Sequence, residues 1–569
     1  MIKAPVVVAA IQFEPSQFFK EKNILRLLAL AEEAAINGAK LIVMPEMGTT
    51  GYCWLERKEI APYVETVPGD TTDRFAGISR RYGCYLVLGM AEKDRQSDLY
   101  YNTAVLIGPD GVIGKHRKTH PYISEPKWAA NGDLGHQVFT TPIGNIALLI
   151  CMDIHFIETA RLAFVQQADV ICHISNWLAE RTPAPYWINR AYENGCYLIE
   201  SNRWGAERGV QFSGGSCVIN PDGHVQNWRD TGDGIVYGTL EPTTSLRPQL
   251  ASRRPELYTS LMTHPFLWNP LDFFALYAKA PLPVGKMSSI AVAQFTPTND
   301  LDANLAQITH WAVAAAKSGA ELLTLPESSL TGPYCSADTA ISQQHEAIRA
   351  LMDLTARLRI HLVAGMVEKY AGACYNTALL LGPDGLIGHY RQIHIRDGDR
   401  VWASAGETWA AFDLPCGRVG LLIGQDLLFP EAGRILAMQG CDIIACPSSL
   451  ALPPSMAHPG TNVPHSYPIA KGPSPHHWLI PRVRAGENNV YLSYANGHES
   501  GLSGIFGPDT FAWPRQETLI TETRALAILD IDTSNLASGY PTNVVRRKDL
   551  VAMRQPHHYP LLIAATDVD

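Results

Sequence analysis

Short apolar runs alternate with an amphipathic stretch near the start of the chain. Residues 6–11, 41–44 and 85–90 are apolar runs of strand length, and each predicts a strand. Residues 23–37 instead place apolar side chains three and four positions apart and are followed by Gly38, so this segment predicts an amphipathic helix that ends there. Alternating strands and helices are typical of helices packed on sheets.

Further apolar runs extend this pattern, and a turn sequence follows the first of them. Gly108-Pro-Asp-Gly111 has the residues of a tight turn and predicts a β-hairpin. We therefore expect an α/β fold in which helices cover the sheets. The additional runs are residues 104–108, 146–150 and 170–174.

One stretch of sequence returns later in the chain. Residues 101–114 read Tyr-Asn-Thr-Ala-Val-Leu-Ile-Gly-Pro-Asp-Gly-Val-Ile-Gly, and residues 375–388 read Tyr-Asn-Thr-Ala-Leu-Leu-Leu-Gly-Pro-Asp-Gly-Leu-Ile-Gly, at an offset of 274 residues. Met44-Pro-Glu46 likewise returns as Leu325-Pro-Glu327. Because the matching segments keep their order, they indicate an internal duplication.

The duplication predicts two α/β domains of roughly 280 residues each, a size that one core can still close. We place the first domain at residues 1–270, a linker at residues 271–287 and the second domain at residues 288–569. The second copy contains an insertion near residues 451–477, and its prolines and histidines predict a solvated loop or a lid. No spaced cysteine or carboxylate accompanies these histidines, which argues against a metal site.

Composition narrows the choice of partners. The 569 residues include 46 Lys and Arg against 55 Asp and Glu, and the resulting net charge of −9 disfavours nucleic acid and favours small-molecule ligands. No apolar run reaches the roughly 18 residues of a membrane span, and the first residues lack the pattern of a signal peptide, so we expect a cytoplasmic protein. The 11 cysteines, an odd number, favour free thiols over a disulfide framework.

Three residues that can act together chemically lie at or near the ends of predicted strands. Cys151 follows the run at residues 146–150, Glu46 closes the run that begins at residue 41, and Lys118 lies just beyond the predicted hairpin. An ordinary thiol, with a pKa near about 8.5, needs a neighbouring base or cation to react. A buried carboxylate can accept its proton, and an ammonium can stabilise an oxyanion. Taken alone, a cysteine is more often a buried inert thiol than a nucleophile.

The order Pro-Glu, then Arg-Lys-x-His, then Cys after an apolar strand resembles the nitrilase superfamily of carbon–nitrogen hydrolases, and both copies resemble that domain over nearly their whole length. The resemblance implies a four-layer αββα sandwich and a Glu-Lys-Cys triad. In that triad Cys151 attacks a carbonyl or nitrile carbon, Glu46 serves as base and acid, and Lys118 steadies the oxyanion. No metal or organic cofactor is needed for this chemistry.

Supporting residues follow from the same resemblance. Glu125, seven residues past Lys118, is the candidate for a second glutamate that positions the substrate amide and holds the lysine; the alternative is a solvent-exposed loop acid. The backbone N–H of Met152 is the expected oxyanion donor by analogy. Asn176 and Trp177 follow the next strand and are expected to line the pocket, with plain packing as the alternative for the tryptophan. Further aromatic candidates for the pocket lining are Tyr52, Trp54, Trp128 and Trp204.

The second copy departs from the pattern at two of these positions. Glu327 remains, but Gln392 stands where the first copy has its lysine, and Gly424 stands where it has its cysteine. Glutamine lacks the charge of the lysine, and glycine has no nucleophile. We therefore expect one active site per chain, unless another thiol such as Cys416 or Cys446 has taken over in the second copy.

The duplication also suggests how the two copies are used. Domains of this family usually pair into dimers, so a fused pair implies an intramolecular pseudo-dimer whose second half supports the first. Further association into a homo-oligomer is left open.

The sequence thus predicts hydrolysis of a non-peptide amide or carbamoyl C–N bond through a cysteine acyl-enzyme, with release of ammonia or an amine. Nitrile hydrolysis is the nearest competing reaction. In that branch the residues after the nucleophile are usually Trp-Glu, whereas this chain has Met152-Asp153, which favours an amide. The sequence also leaves open acyl transfer to an amine and a non-catalytic role as a binding or scaffold protein.

Overall fold

The computed structural model describes two compact units. The first comprises residues 2–242 together with His557–Leu562, and the second comprises the described residues from 251 to 556 together with residues 563–565. The described ranges are residues 2–122, 124–178, 182–242, 251–264, 282–333, 335–451, 479–499, 501–508, 516–535, 544–546 and 548–565.

The units are not two consecutive halves of the sequence. Residues 251–264 precede the predicted linker yet group with the second unit, while His557–Leu562, near the end of the chain, group with the first. Of the linker predicted at residues 271–287, only residues 282–287 are described. Of the insertion predicted at residues 451–477, only residue 451 is described. The domain limits proposed from the sequence therefore stay predictions.

The first unit contains two six-stranded sheets and one short ribbon among its described residues. Its strands are β1 (Val6–Gln12), β2 (Leu41–Val43), β3 (Tyr85–Lys93), β4 (Tyr100–Gly108), β5 (Gly111–Arg117), β6 (Val138–Thr141), β7 (Gly144–Ile150), β8 (Val170–Ser175), β9 (Tyr197–Asn202), β10 (Trp204–Glu207), β11 (Val210–Ser213), β12 (Ser216–Ile219), β13 (Val225–Arg229) and β14 (Gly234–Leu240).

The two sheets have related topologies, each with parallel strands at its centre. One has the order β14-β1-β2-β3-β4-β5, in which β1, β2 and β3 are parallel to one another. The other has the order β13-β12-β9-β8-β7-β6, in which β7, β8 and β9 are parallel. Because the carboxyl ends of parallel strands lie at one edge of a sheet, residues that follow β2, β7 and β8 are placed where functional groups can meet.

Helices cover the outer face of each sheet. Strand β1 contacts β9 and β12, so the two sheets face each other, and helices pack against both of them. This arrangement is the four-layer αββα sandwich that the resemblance implied. The helices are α1 (Lys20–Ile36), α2 (Arg57–Ile60), α3 (Asp70–Tyr82), α4 (Ile157–Val165) and α5 (Pro185–Asn194).

Helix α1 shows why the apolar pattern predicts this layer. Its buried face contains Ile24, Leu27, Leu30 and Ala31, spaced three, three and one positions apart, and these side chains pack with Phe75 of α3 in one core cluster. Burying a leucine or isoleucine side chain completely contributes about 1.5–3 kcal/mol. The helix begins three residues earlier than the sequence pattern indicated.

The second unit repeats the architecture. Its sheets have the orders β19-β18-β17-β16-β15-β26 and β20-β21-β22-β23-β24-β25. The strands are β15 (Met287–Gln294), β16 (Leu322–Thr324), β17 (His361–Tyr370), β18 (Ala373–Gly382), β19 (Gly385–Arg391), β20 (Ala411–Leu414), β21 (Gly417–Leu421), β22 (Ile443–Ser448), β23 (Tyr491–Asn496), β24 (Gly504–Phe506), β25 (Glu517–Leu519) and β26 (Ala525–Asp532). The helices are Leu301–Lys317, Glu346–Leu358, Pro430–Met438, Leu479–Asn488 and Asp549–Ala552.

Two chain-wide features complete the fold. All eleven cysteines lie among the described residues, and none of them forms a disulfide bond. Across the described part of the chain, helices are too short or too polar to cross a membrane.

Candidate active site

Glu46 is placed by the loop that follows β2. Its side chain is completely buried, and the loop lies directly against Gly89 of β3. A Cβ atom added at Gly89 would lie 2.4 Å from the carbonyl oxygen of Pro45 and 2.7 Å from the Cα of Glu46. Only glycine therefore lets this loop approach the sheet so closely.

Lys118 and Glu125 meet Glu46 in the interior. Lys118 comes directly after β5, and its Nζ donates to Glu46 Oε1 at 2.8 Å and to Glu125 Oε2 at 2.5 Å. All three side chains are shielded from solvent. Glu125 is thus a buried partner of the lysine, which excludes the solvent-exposed loop acid considered from the sequence.

Asn102 is a site residue that sequence reasoning missed. Its Nδ2 donates to Glu46 Oε1 and to Glu125 Oε1, both at 2.6 Å, so one amide joins the two carboxylates. The signal was present, because Asn102 lies in the longest repeated stretch and Asn376 occupies the same position in the second copy.

Cys151 begins a 3₁₀ turn, Cys151–His155, directly after β7. Its side chain is buried, with 6% of the residue exposed, and its φ of +44° lies in the left-handed region. That conformation costs a residue with a Cβ roughly 1–2 kcal/mol. A buried thiol in a strained turn at a strand end, beside charged groups, is an arrangement typical of functional sites.

Burial and neighbouring charges keep the thiol protonated at rest. The pKa of Cys151 lies well above its ordinary value because burial disfavours the thiolate, and the negative charge of Glu46 adds to this effect. The charge of Lys118 acts in the opposite direction. The thiol therefore needs a base at the moment of attack rather than a standing thiolate.

Glu46 has the properties of such a base. Burial raises its pKa above the ordinary 4.5, although the Lys118 ammonium partly opposes the shift. Burial alone would lower the pKa of Lys118, but Glu125 and Glu46 outweigh it, so the lysine stays charged. Transfer of the cysteine proton to Glu46 leaves the net charge of the cluster unchanged, which suits a site closed to water.

Asn176 follows β8 and ties the two sheets together at the site. Its backbone N–H donates to Glu46 Oε2 at 2.6 Å, and its Nδ2 donates to the backbone carbonyl of Glu46 at 3.1 Å. Met152, the expected oxyanion donor, lies next to Cys151 and is 2% exposed. Trp177 is buried, stacks on His155 with ring centres 4.8 Å apart and donates its backbone N–H to Asn202.

The remaining aromatic candidates have different surroundings. Tyr52 donates its hydroxyl to Glu125 Oε2 at 2.9 Å and is the third donor to that oxygen, after Lys118 and the backbone N–H of Tyr122. Trp54 and Trp128 are buried with Tyr52 in a small apolar cluster. The half-buried Trp204 lies on β10 and donates its indole N–H to Asp233 at 2.9 Å.

Asp153 fixes the turn that carries the cysteine. One of its carboxylate oxygens accepts from Thr119 and from the backbone N–H of His120, and the other contacts His116. Burial alone would raise the pKa of Asp153, but its hydrogen bonds to the two histidines hold it well below its usual range. In the second unit Asp426 makes the same kind of contacts with Tyr390 and His394.

The corresponding place in the second unit has different chemistry. Arg396 donates to Glu327 Oε2 at 3.1 Å, and Gln392 donates to the carbonyl of Ile423 at 3.0 Å. Gly424 has a φ of +39°, and a Cβ atom there would lie only 2.5 Å from Glu327 Oε2. Glu327 and Arg396 line a cavity of about 430 Å³ together with Asp399, which stands at the position of Glu125.

Neither thiol considered as a substitute in the second unit is activated. Cys416 and Cys446 are completely buried, and burial raises the pKa of each to about 12. Within the residues that the structure describes, no group of three His, Cys, Asp or Glu side chains is placed to hold a metal ion.

Comparison with known proteins identifies the same family in both halves of the chain. A family model described as carbon–nitrogen hydrolase matches residues 7–245 and again residues 289–528. A protein named nitrilase from Pyrococcus abyssi is 38% identical over 221 residues, which cover 39% of this chain and 83% of that protein. Human omega-amidase NIT2 is 27% identical over 277 residues, which cover 45% of this chain and 98% of that protein.

A formamidase from Bacillus thuringiensis is 33% identical over 263 residues, which cover 44% of this chain and 74% of that protein. Each relative is thus similar to less than half of the chain, as a tandem duplication requires. Because the family model matches both halves, this chain belongs to the carbon–nitrogen hydrolase family, whose members act on C–N bonds other than peptide bonds.

Proposed function

We propose that the first unit hydrolyses the C–N bond of a small non-peptide amide through a thioester on Cys151. The observation that carries the proposal is a buried cluster in which Lys118 contacts both Glu46 and Glu125 and in which all three charges act on the thiol. Such a cluster is expensive to bury unless its charges are paired. Buried titratable groups of this kind are concentrated at sites where they perform acid–base chemistry.

The cluster supports a complete reaction sequence. The Cys151 sulfur attacks the amide carbon while its proton passes to Glu46, and Lys118 with the Met152 N–H stabilises the oxyanion. Glu46 returns the proton to the nitrogen, and ammonia or an amine leaves as the C–N bond breaks. Water then attacks the thioester, gives a proton to Glu46, and releases the acid as the thiolate is reprotonated.

Glu125 and Asn102 support this sequence by holding the lysine and the base. Glu125 contacts the lysine and is itself fixed by Tyr52 and Tyr122, so the ammonium cannot swing away from Glu46. Asn102 keeps the two carboxylates at a constant spacing. Positioning of this kind lowers the entropy lost in the transition state.

Nitrile hydrolysis is the second candidate. It is favoured by the 38% identity to the protein named nitrilase, whereas the Met152-Asp153 sequence and the relatives named omega-amidase and formamidase favour an amide. Both reactions use the same thiol. Parallel assays with butyramide and butyronitrile will separate them, since ammonia from the amide alone supports the first candidate.

The proposal is tested by replacing the nucleophile. The full-length Cys151→Ala variant should lose at least about 10³-fold in kcat for ammonia release from a panel of primary amides, because no other group can form the thioester. In the parent protein, rapid quenching should reveal an acylated peptide containing residue 151 by mass spectrometry.

Cys84→Ala is the matched control. Cys84 is a buried thiol of the same unit, and burial raises its pKa to about 11. Its replacement should leave turnover within about twofold of the parent. Full activity of Cys151→Ala would disprove the proposal, and the absence of turnover and of acylation in the parent across all substrates would favour a binding or scaffold protein.

A further inference from the structure

A buried pair of side chains lies directly behind the nucleophile, and the reaction sequence above does not use it. His173 of β8 and Glu200 of β9 are opposite each other in the ladder, and both are completely buried. The Nε2 of His173 lies 3.0 Å from the backbone carbonyl oxygen of Cys151, and its Nδ1 contacts Glu200 Oε2. Since a carbonyl oxygen only accepts hydrogen bonds, Nε2 carries a proton and donates a hydrogen bond to the backbone carbonyl of Cys151.

Glu200 determines how the histidine is held. One carboxylate oxygen contacts Nδ1 of His173, and the other contacts the Ser175 hydroxyl. An imidazolium beside a carboxylate and an imidazole beside a carboxylic acid are both neutral overall, and both keep Nε2–H pointed at the carbonyl. The Ser175 hydroxyl also lies 3.0 Å from Asn202 Oδ1, so the pair is linked to the end of β9.

The carbonyl that His173 contacts belongs to the peptide bond between Cys151 and Met152. In a planar trans peptide the C=O and the N–H point in opposite directions. A histidine that holds the carbonyl from the strand side therefore fixes the direction of the Met152 N–H, which is the proposed oxyanion donor. The same hydrogen bond restrains Cys151 in its left-handed conformation, with φ at +44°.

The second unit provides an internal comparison. Cys446 and Tyr494 stand at the positions of the histidine and the glutamate, opposite each other in the same register. There Gly424 replaces the nucleophile and adopts φ +39° without the strain that a Cβ would add. Contacts that serve the fold alone are kept, since Asp426 still binds the turn as its counterpart does. The pair behind the nucleophile is absent in the unit that lacks the nucleophile.

We infer that His173, held by Glu200, is a positioning residue that orients the Cys151–Met152 peptide for oxyanion stabilisation. This inference rests on the proposed function of the first unit. It assigns no contact with substrate to either side chain.

The test compares His173→Leu with His173→Gln in the full-length protein. Leucine removes the donor, whereas the amide of glutamine can place an N–H near the former position of Nε2. His173→Leu should lower kcat for amide hydrolysis by roughly 10- to 100-fold, while KM stays within about threefold of the parent value. This loss is smaller than the loss expected when an oxyanion donor is removed completely, because the Met152 N–H is still present. His173→Gln should recover at least about fivefold of that loss.

Two thiol reagents distinguish a loss of oxyanion stabilisation from a general loss of packing at the site. Iodoacetamide alkylates the Cys151 sulfur by displacement of iodide and forms no oxyanion, so its rate should stay within about threefold in His173→Leu. Propionaldehyde adds to the thiol and forms a hemithioacetal, whose tetrahedral carbon carries the former carbonyl oxygen at the position of the oxyanion. Its affinity, measured as protection against alkylation, should therefore fall about as much as kcat does. A loss of packing alone would lower the alkylation rate and kcat together and would overturn the inference.

Controls cover the remaining outcomes. Cys446→Ala changes the equivalent position of the second unit and should leave kcat and alkylation unchanged; a loss equal to that of His173→Leu would overturn the inference. If thermal unfolding shows that His173→Leu does not fold, Glu200→Gln takes its place, and equal effects on kcat and alkylation again overturn it.

Failure of the proposed function has a different signature. If the parent releases no ammonia from any amide, the propionaldehyde and iodoacetamide measurements still test the positioning role. Equal aldehyde affinity in parent and His173→Leu would then reject the inference on its own.

Discussion

At the scale of single residues, a comparison of Glu46 with Glu327 in the second unit shows which surroundings a buried carboxylate needs in order to act as a base. Glu46 and Glu327 are both buried carboxylates whose pKa burial raises, and both accept from an asparagine. Glu46 pairs with the Lys118 ammonium, and its charge acts on the Cys151 thiol, whereas Glu327 pairs with the guanidinium of Arg396. A raised pKa therefore marks a buried carboxylate in both units, and the neighbours decide whether it can serve as a base.

This contrast predicts the effect of Glu46→Gln. Glutamine preserves the size of the side chain but cannot take the thiol proton, so kcat should fall by about 10²- to 10⁴-fold. Glu327→Gln is the matched control and should leave turnover unchanged. The measurement is ammonia release at saturating amide. Equal losses in the two variants would mean that burial, rather than proton transfer, explains the effect.

Lys118 offers a second prediction at this scale, a loss of stability on substitution whose size depends on pH. In Lys118→Gln the buried carboxylates lose their ammonium, so the pKa of Glu46 should rise further than burial already raises it. A carboxyl whose pKa is higher in the folded state stabilises the fold at acid pH, and this contribution is lost as the pH rises beyond 4.5 toward the folded-state value.

The variant should therefore be destabilised more strongly, relative to the parent, at pH 8 than at pH 5. Urea unfolding midpoints of parent and variant at the two pH values measure the effect. The side chain itself fits, since Gln392 occupies the equivalent position in the second unit. A midpoint difference that does not change with pH would contradict the expected coupling between the lysine and the carboxylates.

At the scale of secondary-structure elements, the apolar pattern predicted the strands well because their side chains are buried in two facing sheets. The strand predicted at residues 170–174 is Val170–Ser175, and the one predicted at residues 146–150 is Gly144–Ile150. The run at residues 104–108 is the end of a longer strand, Tyr100–Gly108, whose first half includes the polar Asn102 and Thr103. Polar residues inside a buried strand interrupt an apolar pattern.

The same limitation explains which site residues could be predicted. Glu46, Lys118 and Cys151 lie at strand ends and match a known order of motifs, so a linear pattern finds them. Asn102 and His173 lie within strands, and their role depends on which strands pair and on which face each side chain occupies. Strand pairing and the face of each side chain are features of the tertiary structure, and the pattern along one segment does not contain them.

Packing between β3 and the loop after β2 gives a prediction for an element. Gly89→Ala would bring a Cβ within 2.4 Å of the Pro45 carbonyl oxygen, so the loop that holds Glu46 must move. Displacement of about 1 Å in a catalytic group can cost roughly 100-fold in rate. We expect a loss of that order in kcat together with a lower melting temperature.

Gly77→Ala is the control for this change. Gly77 lies within helix α3, and a Cβ atom there would meet nothing within 4 Å. The substitution should stabilise the helix by about 1 kcal/mol and leave kcat unchanged. If Gly89→Ala retains full activity, the loop is more adaptable than its close packing indicates.

At the scale of the whole molecule, each unit includes a segment that sequence order alone would assign elsewhere. Tyr559 and Leu562 group with the first unit, and Tyr258 and Leu261 group with the second; all four are completely buried. In the first unit, Pro560–Leu562 contacts helix α4, which follows the turn of the nucleophile. A cut at the predicted linker would therefore deprive the first unit of part of its packing.

This packing predicts an effect of a residue more than 400 positions away from the nucleophile. Tyr559→Ala removes a buried aromatic ring from the first unit and should destabilise that unit by about 3–5 kcal/mol. Tyr258→Ala removes the corresponding ring from the second unit.

Hydrogen exchange should then be accelerated in strand β7 for the first variant and in strand β21 for the second. Because the proposed reaction takes place in the first unit, the half-life of activity on heating should shorten more for Tyr559→Ala. Equal exchange in both strands for both variants would show that the two units unfold as one.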